Sequence, residues 1–280
     1  MTDFWTTIRA FAERATQAAG AQLLEDFGQV QAIAKADGSL VTQADRWADA
    51  FLRQAIREAF PNHGVLTEET EHIFPAEEWC WIVDPLDGTT NFARGLPIWG
   101  ISLGLLYRGT PIFGYVALPP LRQAFYGYWA GHSQLDCPTG AWFIDGAKSP
   151  AKPTSIHVSP ADPDPNQFFN LCARSTCVLQ QQPFPCKIRM LGIATYNLLT
   201  IAAGIALGGV EATPKIWDIA AVWVITQAAG ATWTSLQPEP IFPLQPGKDY
   251  SQCNYPTLVT SRTDLVPLFL SLVQSVSFKE

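Results

Sequence analysis

Two aspartates separated by a proline and a leucine, Asp84-Pro85-Leu86-Asp87, stand directly before Gly88-Thr89-Thr90. A turn there can bring both carboxylates and an intervening backbone carbonyl to one point, and charges so close repel unless they share a proton or a cation. The glycine and threonines that follow place successive backbone amides at the opening of a helix, which makes a seat for an anion. A cation beside an anion points to metal-assisted chemistry on a phosphate.

Other carboxylates stand at the ends of predicted elements. Glu68 and Glu69 follow the short apolar pair Val65-Leu66, and Asp218 opens the apolar stretch IAAVWVITQAAG. Each has an ordinary reading too: paired glutamates are commonly solvated, and an aspartate at a helix start is commonly a cap. Asp45 lies three residues after Thr42, the spacing of a capping box, and has that role or a place near a metal open to it. Glu68, Glu69, Asp84, Asp87 and Asp218 together offer hard oxygen ligands. With no thiolate and few histidines near them, that set selects Mg²⁺, Mn²⁺ or Ca²⁺ over zinc or copper, with Mg²⁺ expected.

The elements that must hold these groups can be read from periodicity. Phe4, Ile8, Phe11, Ala15 and Ala18 recur at helical spacing, with Gly20 and Gly28 as candidate breaks, and Trp47 to Ala59 is a second helix that Pro61 stops. Trp79 to Val83 is a buried strand that ends at the aspartates. Residues 100–147 alternate apolar, aromatic and glycine residues in short runs, as an antiparallel meander does. Prolines 150, 153, 160, 163 and 165 mark a junction, so residues 1–150 are expected to form an N-terminal subdomain with most of the carboxylates and residues 151–280 a C-terminal one with Asp218. In the second part a strand is predicted at Phe168–Cys172, a helix at Tyr196–Ala206, and a helix after Trp217 closed by Gly230.

Composition limits the partners. With 280 residues, 48% hydrophobic and 15% charged, the chain can bury a large core. A net charge of −7 argues against a general nucleic-acid or anionic-membrane surface, because polyanions need a positive stripe. No apolar run reaches the length of a membrane span. The six cysteines show no paired CxxC spacing and no secretory leader precedes them, so reduced thiols and a cytoplasmic location are expected.

Two other chemistries fit less well. An EF-hand loop starting at Asp84 requires a glutamate at its twelfth position, where Gly95 stands. The DxDGT loop of phosphatases with an aspartyl nucleophile is one residue shorter than Asp84-Pro85-Leu86-Asp87-Gly88-Thr89.

WIVDPLDGTTNF, the upstream LTEE, the downstream WDIAA and KADGSLVTQAD together resemble the inositol monophosphatase family of Mg²⁺-dependent, lithium-sensitive sugar-phosphate phosphatases, over about Lys35 to Ala231. The resemblance implies an α+β fold, a layered α-β-α-β-α sandwich with an N-terminal antiparallel sheet and a smaller C-terminal mixed sheet, usually as a homodimer. It implies that Glu68, Asp84 and the Leu86 carbonyl hold one metal, that Asp84, Asp87 and Asp218 hold a second, and that Glu68 helps hold a third, weaker ion. Metal-activated water would attack phosphorus in line, with Glu68 and Thr89 orienting it and the amides of Gly88, Thr89 and Thr90 holding phosphate oxygens.

Glu211 and the backbone at Gly192, Ile193 and Ala194 match leaving-group positions, and Lys35, Asp45 and Glu69 are possible accessory groups. Thr67 and Ile193 depart from the family pattern; Ile193, where a small hydroxyl residue is common, is expected to add bulk near the leaving group. The implied substrate is a small polyol phosphate, inositol monophosphate first. Histidinol phosphate, fructose 1,6-bisphosphate and 3′-phosphoadenosine 5′-phosphate are alternatives, for which Arg174, Lys187 and Arg189 are candidate contacts. A catalytically silent binding relative is the rival class.

Overall fold

The computed structural model describes residues 2–34, 40–131, 133, 135–180 and 183–273. Helix α1 (Thr2–Asp26) continues through Gly20, where the sequence suggested a break, and a two-stranded ribbon follows, β1 (Ile33–Ala34) with β2 (Leu40–Val41). Helix α2 (Gln43–Ala59) starts at a capping box in which Thr42 and Asp45 satisfy each other's backbone amides. Its buried face is Ala44, Asp45, Ala48, Asp49, Leu52 and Ile56, so two of the six inward positions are acids.

The first sheet has seven strands in chain order: β3 (Gly64–Thr67), β4 (Trp79–Asp87), β5 (Gly100–Tyr107), β6 (Thr110–Leu118), β7 (Gln123–Tyr128), β8 (Gly140–Asp145) and β9 (Thr154–Ser155). Only β3 and β4 pair parallel; the rest is the antiparallel meander read from the sequence. Helix α3 (Thr89–Ala93) interrupts the path from β4 to β5. Burying α1, α2 and one sheet face together gives a core that includes Ile8, Phe11, Leu52, Trp81 and Phe113.

The second sheet is mixed, in the order β11 (Lys187–Arg189), β10 (Phe168–Leu171), β12 (Gly208–Glu211), β14 (Thr257–Thr260), β13 (Thr232–Ser235). Helices α4 (Ala194–Ala202) and α5 (Ile216–Ala228) lie between the sheets, and α6 (Val266–Val273) covers the outer face of the second. The layers are therefore α-β-α-β-α. Helix α5 is apolar nearly all round because both its faces are covered. It sits very close to the first sheet: a Cβ on Gly114 would lie 2.2 Å from the Ala221 carbonyl oxygen, so only glycine fits there. That contact sets the height of α5, and hence of Asp218 in its first turn. No described helix is long and apolar enough to cross a membrane.

Candidate metal centre and phosphate cleft

Strand β4 does not stop at Val83. It runs through Pro85 to Asp87, and its pairing with β5 slips: Asp84 faces Ser102 but Asp87 faces Gly100, three steps on one strand against two on the other. In an unbroken strand, residues three apart point to opposite faces. The extra residue, a β-bulge where proline has no amide to give the ladder, brings both carboxylates to one side.

Both are buried. Asp84 Oδ1 accepts the Leu86 amide at 3.0 Å, and Asp84 Oδ2 is buried without a hydrogen-bond partner. Asp87 Oδ2 accepts the Thr195 amide at 2.8 Å, from the first turn of α4. Asp218 is not the cap of α5; from its third position it accepts the Lys215 amide at 2.7 Å. One carboxylate oxygen from each of Asp84, Asp87 and Asp218 lies within 4.8 Å of the others.

Burial raises all three above the ordinary carboxylate range, and for Asp84 and Asp218 charge repulsion adds to it. For Asp84 burial leads, then the charges of Glu68, Asp87 and Asp218; for Asp218, burial, then Asp87 and Glu68. Asp87 is raised by burial and held back by Thr195. An orphaned buried oxygen inside three converging carboxylates, all hard donors, fits a divalent cation such as Mg²⁺. Glu68, just beyond the end of β3, faces the same cleft.

On the other side of the acids Gly88 takes a left-handed conformation (φ +91°), which turns the chain from β4 into α3. Gly88, Thr89 and Thr90 line a cleft of about 530 Å³ together with Glu68, Asp84, Leu86, Asp87 and Asp218. The Thr89 hydroxyl lies 2.9 Å from Asp45 Oδ1 and 3.1 Å from the Leu86 carbonyl oxygen. Asp45 thus does two things: its Oδ2 caps α2 and its Oδ1 faces Thr89. Burial pushes its carboxyl up.

The leaving-group end differs from the sequence-based expectation. Gly192 (φ +75°) lines the cleft, but the Ile193 side chain is 2% exposed and packs with Val116, Leu118 and Leu198. Its bulk lies in the core, not beside a substrate, because the backbone turns at Gly192 before α4 begins. Ala194 is half-buried at the start of α4. Glu211 is also withdrawn: its carboxyl is buried, accepts Asn197 Nδ2 at 2.7 Å, and is pushed up to about 7 chiefly by burial.

Arg174 lines the cleft and donates to the Thr213 hydroxyl at 3.0 Å, whereas Lys187 and Arg189 lie on β11, Arg189 over the Phe168 ring. Glu69 is half-buried and does not line the cleft, and Lys35 lies outside the described residues. Sequence reasoning did not single out the wall residues His72, Lys215, Ser251 and Gln252. His72 bonds the Glu68 carbonyl through Nε2 at 2.6 Å, and Lys215 Nζ donates to the Ser251 carbonyl at 2.9 Å. The one available signal was that Lys215 lies three residues before Asp218.

Converging acids beside the Gly88–Thr90 turn, at the meeting of two sheets with helices between, define a metal-dependent phosphomonoesterase. The model of the inositol monophosphatase family matches residues 5–266, and the chain belongs to that family. An inositol-1-monophosphatase of Synechocystis is 31% identical over 233 residues, 82% of this chain and 79% of the relative. A histidinol-phosphatase of Mycobacterium tuberculosis is 31% identical over 207 residues, 72% of this chain and 76% of its own. Among solved structures, the Thermotoga maritima IMPase superposes with a TM-score of 0.77 at 26% identity, covering 95% of this chain and 96% of that one.

Proposed function

We propose that this chain is a Mg²⁺-dependent phosphatase of small polyol phosphates, with inositol monophosphate as the first candidate and histidinol phosphate, fructose 1,6-bisphosphate and 3′-phosphoadenosine 5′-phosphate as alternatives. The observation that carries the reading is the buried, unpartnered Asp84 Oδ2 among Asp87 and Asp218, directly before Gly88–Thr90. Asp84, Asp87, Asp218, Glu68 and the Leu86 carbonyl would hold the ions, two or three in number. Bound Mg²⁺ supplies charge neutralisation on the phosphate and leaving oxygens and makes water more acidic.

The chain's own groups do the rest. Amides at Gly88–Thr90 hold phosphate oxygens as charge shifts during transfer. The Thr89 hydroxyl gives its hydrogen to Asp45, which leaves its oxygen free to accept from the attacking water, while Glu68 fixes that water from the other side. The water's oxygen bonds phosphorus and keeps one hydrogen, the ester P–O bond breaks, and the water's other proton passes by way of Glu68 or the Thr89–Asp45 pair to the departing alkoxide oxygen, so that the alcohol leaves neutral and the acids return to their starting state. Gly192 and Arg174 border the leaving alcohol. A homodimer in the cytoplasm is part of the same proposal, its support being the family resemblance and the free state of the five described cysteines.

Phosphate release from the four candidate substrates, with Mg²⁺ and with added Li⁺, tests it. Turnover of at least one, lost in Asp218→Asn, is the expected result. Metal binding without turnover of any would replace the enzyme with a silent binding relative.

A further inference from the structure

Helix α2 carries two buried acids on one face, and only the first belongs to the site described above. Asp45 and Asp49 are each 1% exposed. Four residues apart, they are separated by about 6 Å along the helix axis and point the same way. Each holds a threonine hydroxyl from a different segment, Thr89 at the start of α3 and Thr70 in the turn after β3. Asp45 Oδ1 takes that of Thr89 at 2.9 Å, and Asp49 Oδ2 takes that of Thr70, also at 2.9 Å.

Thr70 lies in the turn that carries Glu68. Its single hydroxyl hydrogen goes to Asp49, which can only accept, so the 3.1 Å contact between Thr67 and Thr70 hydroxyls has Thr67 as donor. The Thr67 amide donates to the Glu71 carbonyl at 2.9 Å, and Thr67 Oγ1 receives the Glu71 amide at 3.4 Å. Residues 67–71 thus close around Glu68, and the chain of hydroxyls ends on α2 at Asp49. Arg53 bridges the same two elements from outside, 3.6 Å from Asp49 Oδ2 and 3.0 Å from Glu71 Oε1.

A carboxylate on the buried face of a helix is a poor choice for stability. Desolvation penalises it, its arginine stands at a long 3.6 Å, and Asp49 Oδ1 is buried with no hydrogen-bond partner. Alanine or leucine, which occupy the neighbouring inward positions, would pack there without that penalty. The arrangement makes sense as a locator.

We propose that Asp49 is a positioning residue: through Thr70 it fixes where Glu68 stands relative to Thr89, with one turn of α2 as the spacer between the two. The proposal rests on the reading of Glu68 and Thr89 as the groups that hold the attacking water and the ion.

Thr70→Val is the clean test, because Thr70 is exposed and the change removes a hydroxyl at nearly constant shape. Phosphate release and calorimetric Mg²⁺ binding are measured on Thr70→Val, Thr70→Ser, Asp49→Ala, the Thr70→Val/Asp49→Ala double variant, and Leu52→Ala as a destabilised control from the same helix face. Loss of one oriented hydrogen bond should lower kcat about tenfold in Thr70→Val, with KM changed less than about twofold. Mg²⁺ affinity should fall in parallel, serine should restore both, and the double variant should be no worse than Asp49→Ala alone.

Unchanged kcat and Mg²⁺ affinity in Thr70→Val would overturn the inference, as would an equal kcat loss in Leu52→Ala below its unfolding temperature. If the native protein turns over no phosphomonoester, the functional reading fails by itself. The Mg²⁺ affinities of Thr70→Val and Leu52→Ala then still decide the positioning role.

Discussion

Replacing Asp84 by asparagine should stabilise the metal-free protein and at the same time abolish its response to Mg²⁺. Asp84 is 1% exposed and faces the charges of Glu68, Asp87 and Asp218. Across the 4.8 Å that bounds the Asp84–Asp87–Asp218 oxygens, two full charges repel by roughly 3.5 kcal/mol at an effective dielectric constant of about 20. Proton uptake relieves part of this, since the raised carboxyls bind protons in the folded state. The net gain from Asp84→Asn near neutral pH should therefore be about 1–3 kcal/mol, or roughly 2–5 °C in Tm for a chain of this size. Asparagine keeps the Oδ1 acceptor for the Leu86 amide and turns the orphaned oxygen into a donor facing acceptors.

The assay is thermal unfolding in EDTA and in excess Mg²⁺, across pH. Acids whose folded pKa is raised lend stability that is full below their unfolded values and is lost as pH rises through the folded ones. The metal-free native protein should thus weaken as pH climbs above the ordinary carboxylate range, with a shallower slope in the variant. Mg²⁺ at about a hundred times its dissociation constant should add roughly 2.7 kcal/mol to the native protein and nothing comparable to Asp84→Asn. A variant less stable than the native protein in EDTA, or one that keeps the full Mg²⁺ shift, would refute the reasoning.

Gly192→Ala places a Cβ 2.9 Å from Asn91 Oδ1 at a φ of +75°. It should lower stability by about 1–3 kcal/mol in denaturant titration and raise KM, because Asn91 Nδ2 also ties the Leu191 and Ile98 carbonyls. Glu211→Gln removes a carboxyl that burial pushes up to about 7. In EDTA the native protein should lose up to roughly 3 kcal/mol between about pH 4.5 and pH 8 that the glutamine variant keeps, which pH-dependent unfolding measures directly.

The acids themselves were legible because each stands at the end of an apolar run, where a chain leaving a buried strand or entering a buried helix has no packing reason to place a charge. Asp84, Asp87, Asp218 and Glu68 all follow that logic, and the structure brings the first three within reach of one ion. Side-chain direction was not legible. Ile193 looked like bulk at the substrate because its place in the motif is known from the chain, but whether it faces the cleft depends on the left-handed turn at Gly192. Glu211 was withdrawn by a tertiary partner, Asn197, fourteen residues upstream in another element. Asp49 passed unnoticed for a related reason: with arginines on either side it reads as one more surface charge of α2, until packing turns it inward.

The slip in β4 has a consequence for which changes this chain can absorb. Asp84 and Asp87 share a face only because the strand between them holds one residue more than its partner, so the count of residues there is a matter of parity. Exchanging Leu86, whose carbonyl is its contribution to the cleft, for another apolar residue leaves the arithmetic intact. Deleting either Pro85 or Leu86 would restore two steps against two opposite Ser102 and Gly100 and keep both acids on one face, but it would remove the bulge and with it the Leu86 carbonyl that meets the Thr89 hydroxyl. Length, more than letter, is what this segment must preserve.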